Sequence, residues 1–259
     1  MPWCALYSGS MAIELLDGVS LRSPGRPPVV ATWRRTGASE AVLLVPGILC
    51  WRRLPEIEEL AERLVQRGRD VVSVDVLGHG DDPGRFTWGR EEWRQVDAAV
   101  HALRAADLAR VSVVGFSYGG FHAARAAMAG SPIDRLVLVG APVDLRVRDI
   151  VPWRPNFFRA LPQVVKRQRR PTRLTRPSGL RALAVAQEQA SAIHQPTLVV
   201  HGRRDWVIGR RHALCWSSWI PDSRLVEIEA GLHAEYLMRS HPERLLAAID
   251  AFLGDSACA

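Results

Sequence analysis

The segment that decides the fold is Val111-Ser112-Val113-Val114-Gly115-Phe116-Ser117-Tyr118-Gly119-Gly120-Phe121-His122-Ala123-Ala124-Arg125-Ala126-Ala127-Met128-Ala129-Gly130. Its first part is a β-branched, aliphatic run with strand propensity; its second is alanine-rich, suited to a helix, and stops at Gly130. Gly115-Phe116-Ser117-Tyr118-Gly119 spans the junction. A serine on so sharp a turn needs neighbours without side chains, because any Cβ there would collide with the incoming helix. Its hydroxyl is then presented at the carboxyl end of a strand. In an ordinary loop the same five residues would only cap a helix, but here the pattern falls where a strand must meet a helix.

On either side, short aliphatic runs alternate with longer amphipathic stretches. PVVATWRR (28–35), AVLLVPG (41–47), DVVSVDV (70–76), RLVLVGAP (135–142), TLVVHG (197–202) and RLVEIEAG (224–231) read as further strands. LPEIEELAERLVQRG, EEWRQVDAAVHALRAA and HPERLLAAIDAFL read as helices. Continuous aliphatic strands separated by helices predict an α/β protein: a mostly parallel central sheet flanked by helices on both faces. Residues 143–192 break the rhythm, with Pro152, Pro155, Pro162, Pro171 and Pro177 and no strand pattern. That is too long for a plain loop, so it predicts a helical insertion over residues 1–142 and 193–259.

The chain has 259 residues, 47% hydrophobic and 24% charged, which suits one large α/β domain and excludes collagen-like, coiled-coil and disordered classes. Cys4, Cys50, Cys215 and Cys258 are scattered without a CxxC pair, which argues against a zinc site or a disulfide framework. No apolar run approaches the roughly 18 residues of a membrane span, and no basic stretch precedes an apolar one at the N-terminus. These features predict a cytoplasmic protein without metal or cofactor. The net charge is +7, yet eleven basic residues against the single Asp149 lie between Leu145 and Arg181, so the remainder is net acidic. Of 34 basic residues only Lys166 is not arginine, a chain-wide bias that says little about chemistry. The clustering is a separate fact.

A serine hydroxyl needs a base within hydrogen-bond reach, itself oriented by a carboxylate. His233, in EAGLHAEYL after the last strand, is the candidate base; His79, His122, His201 and His241 have plainer roles as turn, helix, strand-end and helix-start residues. Asp205, in the loop after TLVVHG, is the candidate acid, with Asp144 after RLVLVGAP as its rival. The order Ser117, Asp205, His233 is that of one convergent triad family. Backbone donors for a developing oxyanion are expected at Tyr118, directly after the serine, and at Ile48, after the Pro46-Gly47 turn. Leu49, Trp51, Tyr118, Trp153 and Trp206 are candidate pocket walls by their proximity to these loops.

Taken together, PGIL (46–49), DVLGHGDD (75–82), the segment at 115–120, HGRRDWV (201–207) and GLH (231–233) resemble, in order, the motifs of the α/β-hydrolase superfamily. The likeness runs from about Val29 to Leu253. It implies Ser117 as nucleophile, His233 as base, Asp205 as its orienting acid, and Ile48 and Tyr118 as oxyanion donors. It also implies that 143–192 is a short cap inserted after strand 6, above the active site. Two departures stand out: Pro46 where many relatives carry histidine, and Arg210 where they frequently have proline.

The leading expectation is hydrolysis of a small-molecule carboxylic ester or thioester through an acyl-enzyme. A lyase or cofactor-free peroxidase on the same triad, or a ligand-binding relative without turnover, are alternatives, since a fold does not fix a reaction. Arg167, Arg169 and Arg170 beside a cleft would attract a carboxylate or phosphate, so an anionic substrate is a further expectation; a solvated, charged surface is its plain counterpart. No aromatic platform accompanies the arginines, so nucleic acid is not expected.

Overall fold

In the computed structural model, which describes residues 13–144, 165–176 and 183–254, the aliphatic runs assemble into a single sheet. Its strands are β1 (Glu14–Leu21), β2 (Val29–Arg35), β3 (Glu40–Val45), β4 (Asp70–Val74), β5 (Arg110–Phe116), β6 (Arg135–Val139), β7 (Thr197–Gly202) and β8 (Ser223–Ile228). Their spatial order is β1-β2-β4-β3-β5-β6-β7-β8. β2 runs antiparallel to both β1 and β4, and every other pairing is parallel. All parallel strands therefore point their carboxyl ends to one rim. The chain leaves β3 outward to β4 and returns on the other side as β5, and crevices at such switch points are where open α/β sheets bind ligands.

The helices α1 (Pro55–Val65), α2 (Glu92–Ala105), α3 (Tyr118–Met128), α4 (Gln187–Ala190), α5 (Arg210–Trp219), α6 (Leu237–Ser240) and α7 (Pro242–Gly254) cover both faces. Successive strand side chains point to opposite faces, and β3 shows the result. Leu43 and Val45 pack with Val100 and Leu103 of α2, Phe121 of α3 and Trp216 of α5. Val42 and Leu44 pack with Ile57, Leu60 and Leu64 of α1 and Ile249 of α7. Leu60 and Leu64 are fully buried, and each such burial stabilises by about 1.5–3 kcal/mol.

β1, α5 and the one-turn α6 run beyond the sequence expectation. β1 carries a bulge at Asp17-Gly18, with the register shifting between Asp17 and Val19 and Gly18 at φ 68°. Helix α5, RRHALCWSSW, buries only His212, Ala213 and Trp216, too sparse an apolar stripe to announce itself. Beneath β1 lies a polar hub: the buried Arg52 guanidinium donates to Asp17, Thr32, Asp75 and Asp81.

Between 143 and 192, residues 143–144, 165–176 and 183–192 are described. Arg173 N–H donates to Gly78 O, and Phe86 and Thr175 complete the pairing from either side. The Trp88 indole adds a bond to Thr175 O at 2.7 Å. This stretch is thus laced to the loop after β4.

Candidate active site

Ser117 sits between β5 and α3 with φ 48° and ψ −118°, a backbone conformation that costs a non-glycine residue about 1–3 kcal/mol. Its surroundings enforce it. Ser117 N–H donates to Val139 O at 2.8 Å, while its own carbonyl accepts from Gly120 and Phe121 at the start of α3. A Cβ on Gly115 would lie 2.5 Å from Gly120 Cα, and one on Gly119 would overlap the Val45 carbonyl. The sequence pattern is therefore a packing requirement of strand against helix.

His233 follows β8 and lies 7% exposed. Its Nε2 is 2.9 Å from Ser117 Oγ and its Nδ1 is 2.7 Å from Asp205 Oδ2. Asp205 stands in the loop after β7, where its other oxygen, Oδ1, accepts from Val207 and Ile208 N–H, both at 2.8 Å. Those two bonds fix the carboxylate so that Oδ2 faces the imidazole. Burial alone would push the His233 pKa down; the charge and hydrogen bond of Asp205, with the charge of Glu235 added, outweigh it and hold the group above its usual 6.5. A hydroxyl, an imidazole and a carboxylate aligned in this way can move a proton off the hydroxyl as it attacks an electrophile.

The rival acid Asp144 is elsewhere: its carboxylate takes the Arg211 guanidinium at 3.2 and 3.3 Å. Of the other histidines, His79 bonds Leu77 O through Nδ1, and burial drives its pKa down to about 4. His122 lies in an aromatic cluster with Phe86, Tyr118 and Phe121, and burial holds its pKa well below the usual 6.5. His201 closes β7, is buried, and is likewise lowered by burial.

The loop after β3 passes beside the serine. A Cβ on Gly47 would lie 2.7 Å from Glu235 Oε1 and 3.1 Å from Ser117 Cβ, so only glycine fits there. Gly47 N–H donates to Glu235 Oε1 at 2.6 Å. Ile48 and Leu49 follow, Leu49 at φ 64°. Glu235 went unremarked in the sequence, although an acid two residues beyond a candidate base was the available signal.

The pocket-wall expectations divide. Leu49 borders a cavity of about 20 Å³ with Cys50, Leu54, Arg167, Glu235 and Tyr236. Trp206 packs on Tyr236 with ring centroids 6.2 Å apart, and Arg169 stacks over Trp51 at 5.8 Å. Tyr118 is corrected: its ring turns into the core against Phe86 and His122, with its hydroxyl on Trp88 O, so only its backbone belongs to the site. Trp153 lies outside the described residues. The arginine expectation is corrected too. Arg167 is paired with Glu56, and Arg169 and Arg170 with Asp81 at 2.9 and 3.5 Å, so these charges hold their segment to the core rather than standing free.

Among the described residues no cluster of metal-ligating side chains occurs, and no helix is long and apolar enough to cross a membrane.

This sheet, with a serine turn after its fifth strand and His233 and Asp205 beside it, has the architecture of an α/β hydrolase. The family model described as alpha/beta hydrolase fold matches residues 40–186, and the chain belongs to that family as an enzyme of the alpha/beta hydrolase type. A 2-hydroxymuconate semialdehyde hydrolase of Pseudomonas sp. (strain CF600) is 25% identical over 250 residues, 82% of this chain and 84% of the relative. An esterase of Pyrococcus furiosus superposes with a TM-score of 0.74 at 19% identity, over 93% of this chain and 92% of that one. The meta-cleavage product hydrolase of Pseudomonas fluorescens IP01 gives a TM-score of 0.68 at 17% identity, over 93% and 98%.

Proposed function

We propose that the protein hydrolyses a small-molecule carboxylic ester or thioester, with Ser117 as nucleophile, His233 as general base and Asp205 orienting it. The observation that carries this reading is the unbroken hydrogen-bond chain from Asp205 through His233 to Ser117. In it, Ser117 Oγ attacks the carbonyl carbon as His233 Nε2 takes the hydroxyl proton. The Asp205 carboxylate stabilises the imidazolium. The tetrahedral oxyanion is received by the backbone N–H groups of Tyr118 and Ile48, each such donor being worth about 2.7–4 kcal/mol in related chemistry. The imidazolium returns its proton to the leaving alcohol or thiol, and a water activated by the same base releases the acid. Residues 143–192 form the cap over this site, on cores at 1–142 and 193–259.

A fluorophosphonate probe should label Ser117, and turnover of p-nitrophenyl esters or acyl thioesters should fall by at least about a thousandfold in Ser117→Ala and His233→Ala. A wild-type protein that neither labels nor turns over any member of the panel would overturn the reading. The curated relatives favour a second substrate for the same residues, a 2-hydroxymuconate semialdehyde. That compound belongs in the panel, and its preference over every ester would replace the ester reading.

A further inference from the structure

Glu235 is 5% exposed and lies on the short 3₁₀ turn Ala234–Tyr236 that begins directly after His233. A buried carboxylate needs partners, and this one takes them from a loop 188 residues earlier in the chain: Gly47 N–H donates to its Oε1. Cys50, three residues further along the same loop, borders the same small cavity as Glu235; burial first, and then this carboxylate, hold its thiol well above its ordinary pKa. Gly47 is wedged between Glu235 and Ser117, with room for no Cβ on the side facing either. Ala234, the single residue between His233 and Glu235, is at φ 38°, a strained left-handed conformation for alanine. That strain turns Glu235 toward the loop while His233 faces the serine.

We infer that Glu235 is a positioning residue: it clamps the 46–50 loop from the base-bearing turn, so that the Ile48 amide is held where the oxyanion forms. The inference rests on the hydrolase reading above. Because Gly47 N–H is engaged by the carboxylate and Gly47 O accepts from Cys50 N–H at 3.2 Å, the peptides on both sides of Gly47 have a fixed tilt. The loop and the base then move as one body. Base and oxyanion donor are held in register by a contact that never touches substrate.

The test compares Glu235→Gln, whose amide oxygen can still accept from Gly47, with Glu235→Leu, which keeps the volume and removes the acceptor. Kinetics on the best ester are normalised to active sites titrated with fluorophosphonate. Glu235→Leu should lower kcat about 10- to 100-fold with KM within about threefold, since a displaced oxyanion donor weakens the transition state and spares ground-state binding. It should slow phosphonylation of Ser117 by a similar factor. Glu235→Gln should keep kcat within about fivefold. If Glu235→Leu yields no folded protein, Glu235→Ala replaces it in the same comparison. Equal kcat per titrated site in all variants would overturn the clamp, as would Gln and Leu falling alike. A wild type that fails to label overturns the hydrolase reading instead, which keeps the two failures apart.

Discussion

Asp205 and Asp144 are the same residue type at the ends of two neighbouring strands, and what separates them is their hydrogen-bond company. Asp205 Oδ1 is committed to two backbone amides, which leaves Oδ2 for His233; Asp144 is committed to Arg211. Asp205→Asn should therefore cost at least about 100-fold in kcat/KM, against less than about threefold for Asp144→Asn. The pH profile tests the same point. Only neutral His233 can accept the serine proton, and its pKa lies above 6.5, so the acid limb of kcat/KM should fall above that value. Removing the Asp205 charge should move the limb to lower pH. The serine was legible as a motif because its glycines are forced by local packing. Asp205 was favoured from its place after β7, but Asp144 stayed a rival because the arginine that engages it is 67 residues away in sequence, and the partner of Glu235 is 188 residues away.

Buried histidines make a second, opposite prediction. His79 and His122 are held neutral by burial, with folded pKa values below the 6.5 that the unfolded chain regains. Their contribution to stability is full above pH 6.5 and is lost as pH falls from there toward about 4, where folded His79 takes its proton. His233 has the opposite sign, and its contribution is lost on going up through its raised pKa. Thermal midpoints by circular dichroism should drop between pH 7 and 4.5, and His122→Phe should flatten that drop. An unchanged slope would show that His122 takes no part.

At the level of elements, the contact that organises the rim is α3 against β3, where Gly119 meets the carbonyl of Val45. Gly119→Ala forces backbone against backbone and should destabilise by on the order of 4 kcal/mol, seen as a large fall in the urea midpoint or as insoluble protein. The parallel strands β3 to β7 were readable because each is largely buried on both faces and so is mostly aliphatic. β1 is an edge strand, largely exposed and bulged at Gly18; its Asp17 answers to Arg52 and Arg53, and Leu21 is its buried core residue. α5 was silent because its buried face is three residues wide. Elements whose sequence is set by one neighbouring surface announce themselves; those set by a few distant polar partners do not.

For the whole molecule, the basic excess reads differently once its partners are known. Arg167 and Arg239 both meet the buried Glu56 at the start of α1, and Arg173 donates to Pro83 O. Arg167, Arg169, Arg170 and Arg173 are consequently fastenings between that segment and the core. Replacing Arg169 and Arg170 together by alanine should change the ratio of kcat/KM for a matched anionic and neutral ester by less than about threefold, since both guanidinium groups are already paired with Asp81. A selective loss on the anionic ester would restore them as substrate contacts.

Asp81 is a carboxylate shared between two regimes of wetness. On one side it meets Arg52, whose side chain is 3% exposed, and on the other Arg169 and Arg170, about half in water. Dissolved ions reach the second junction and scarcely the first. Rising ionic strength thus slackens the outer fastening while the inner one keeps its grip, and residues 165–176 can be loosened from outside with the ground they stand on undisturbed.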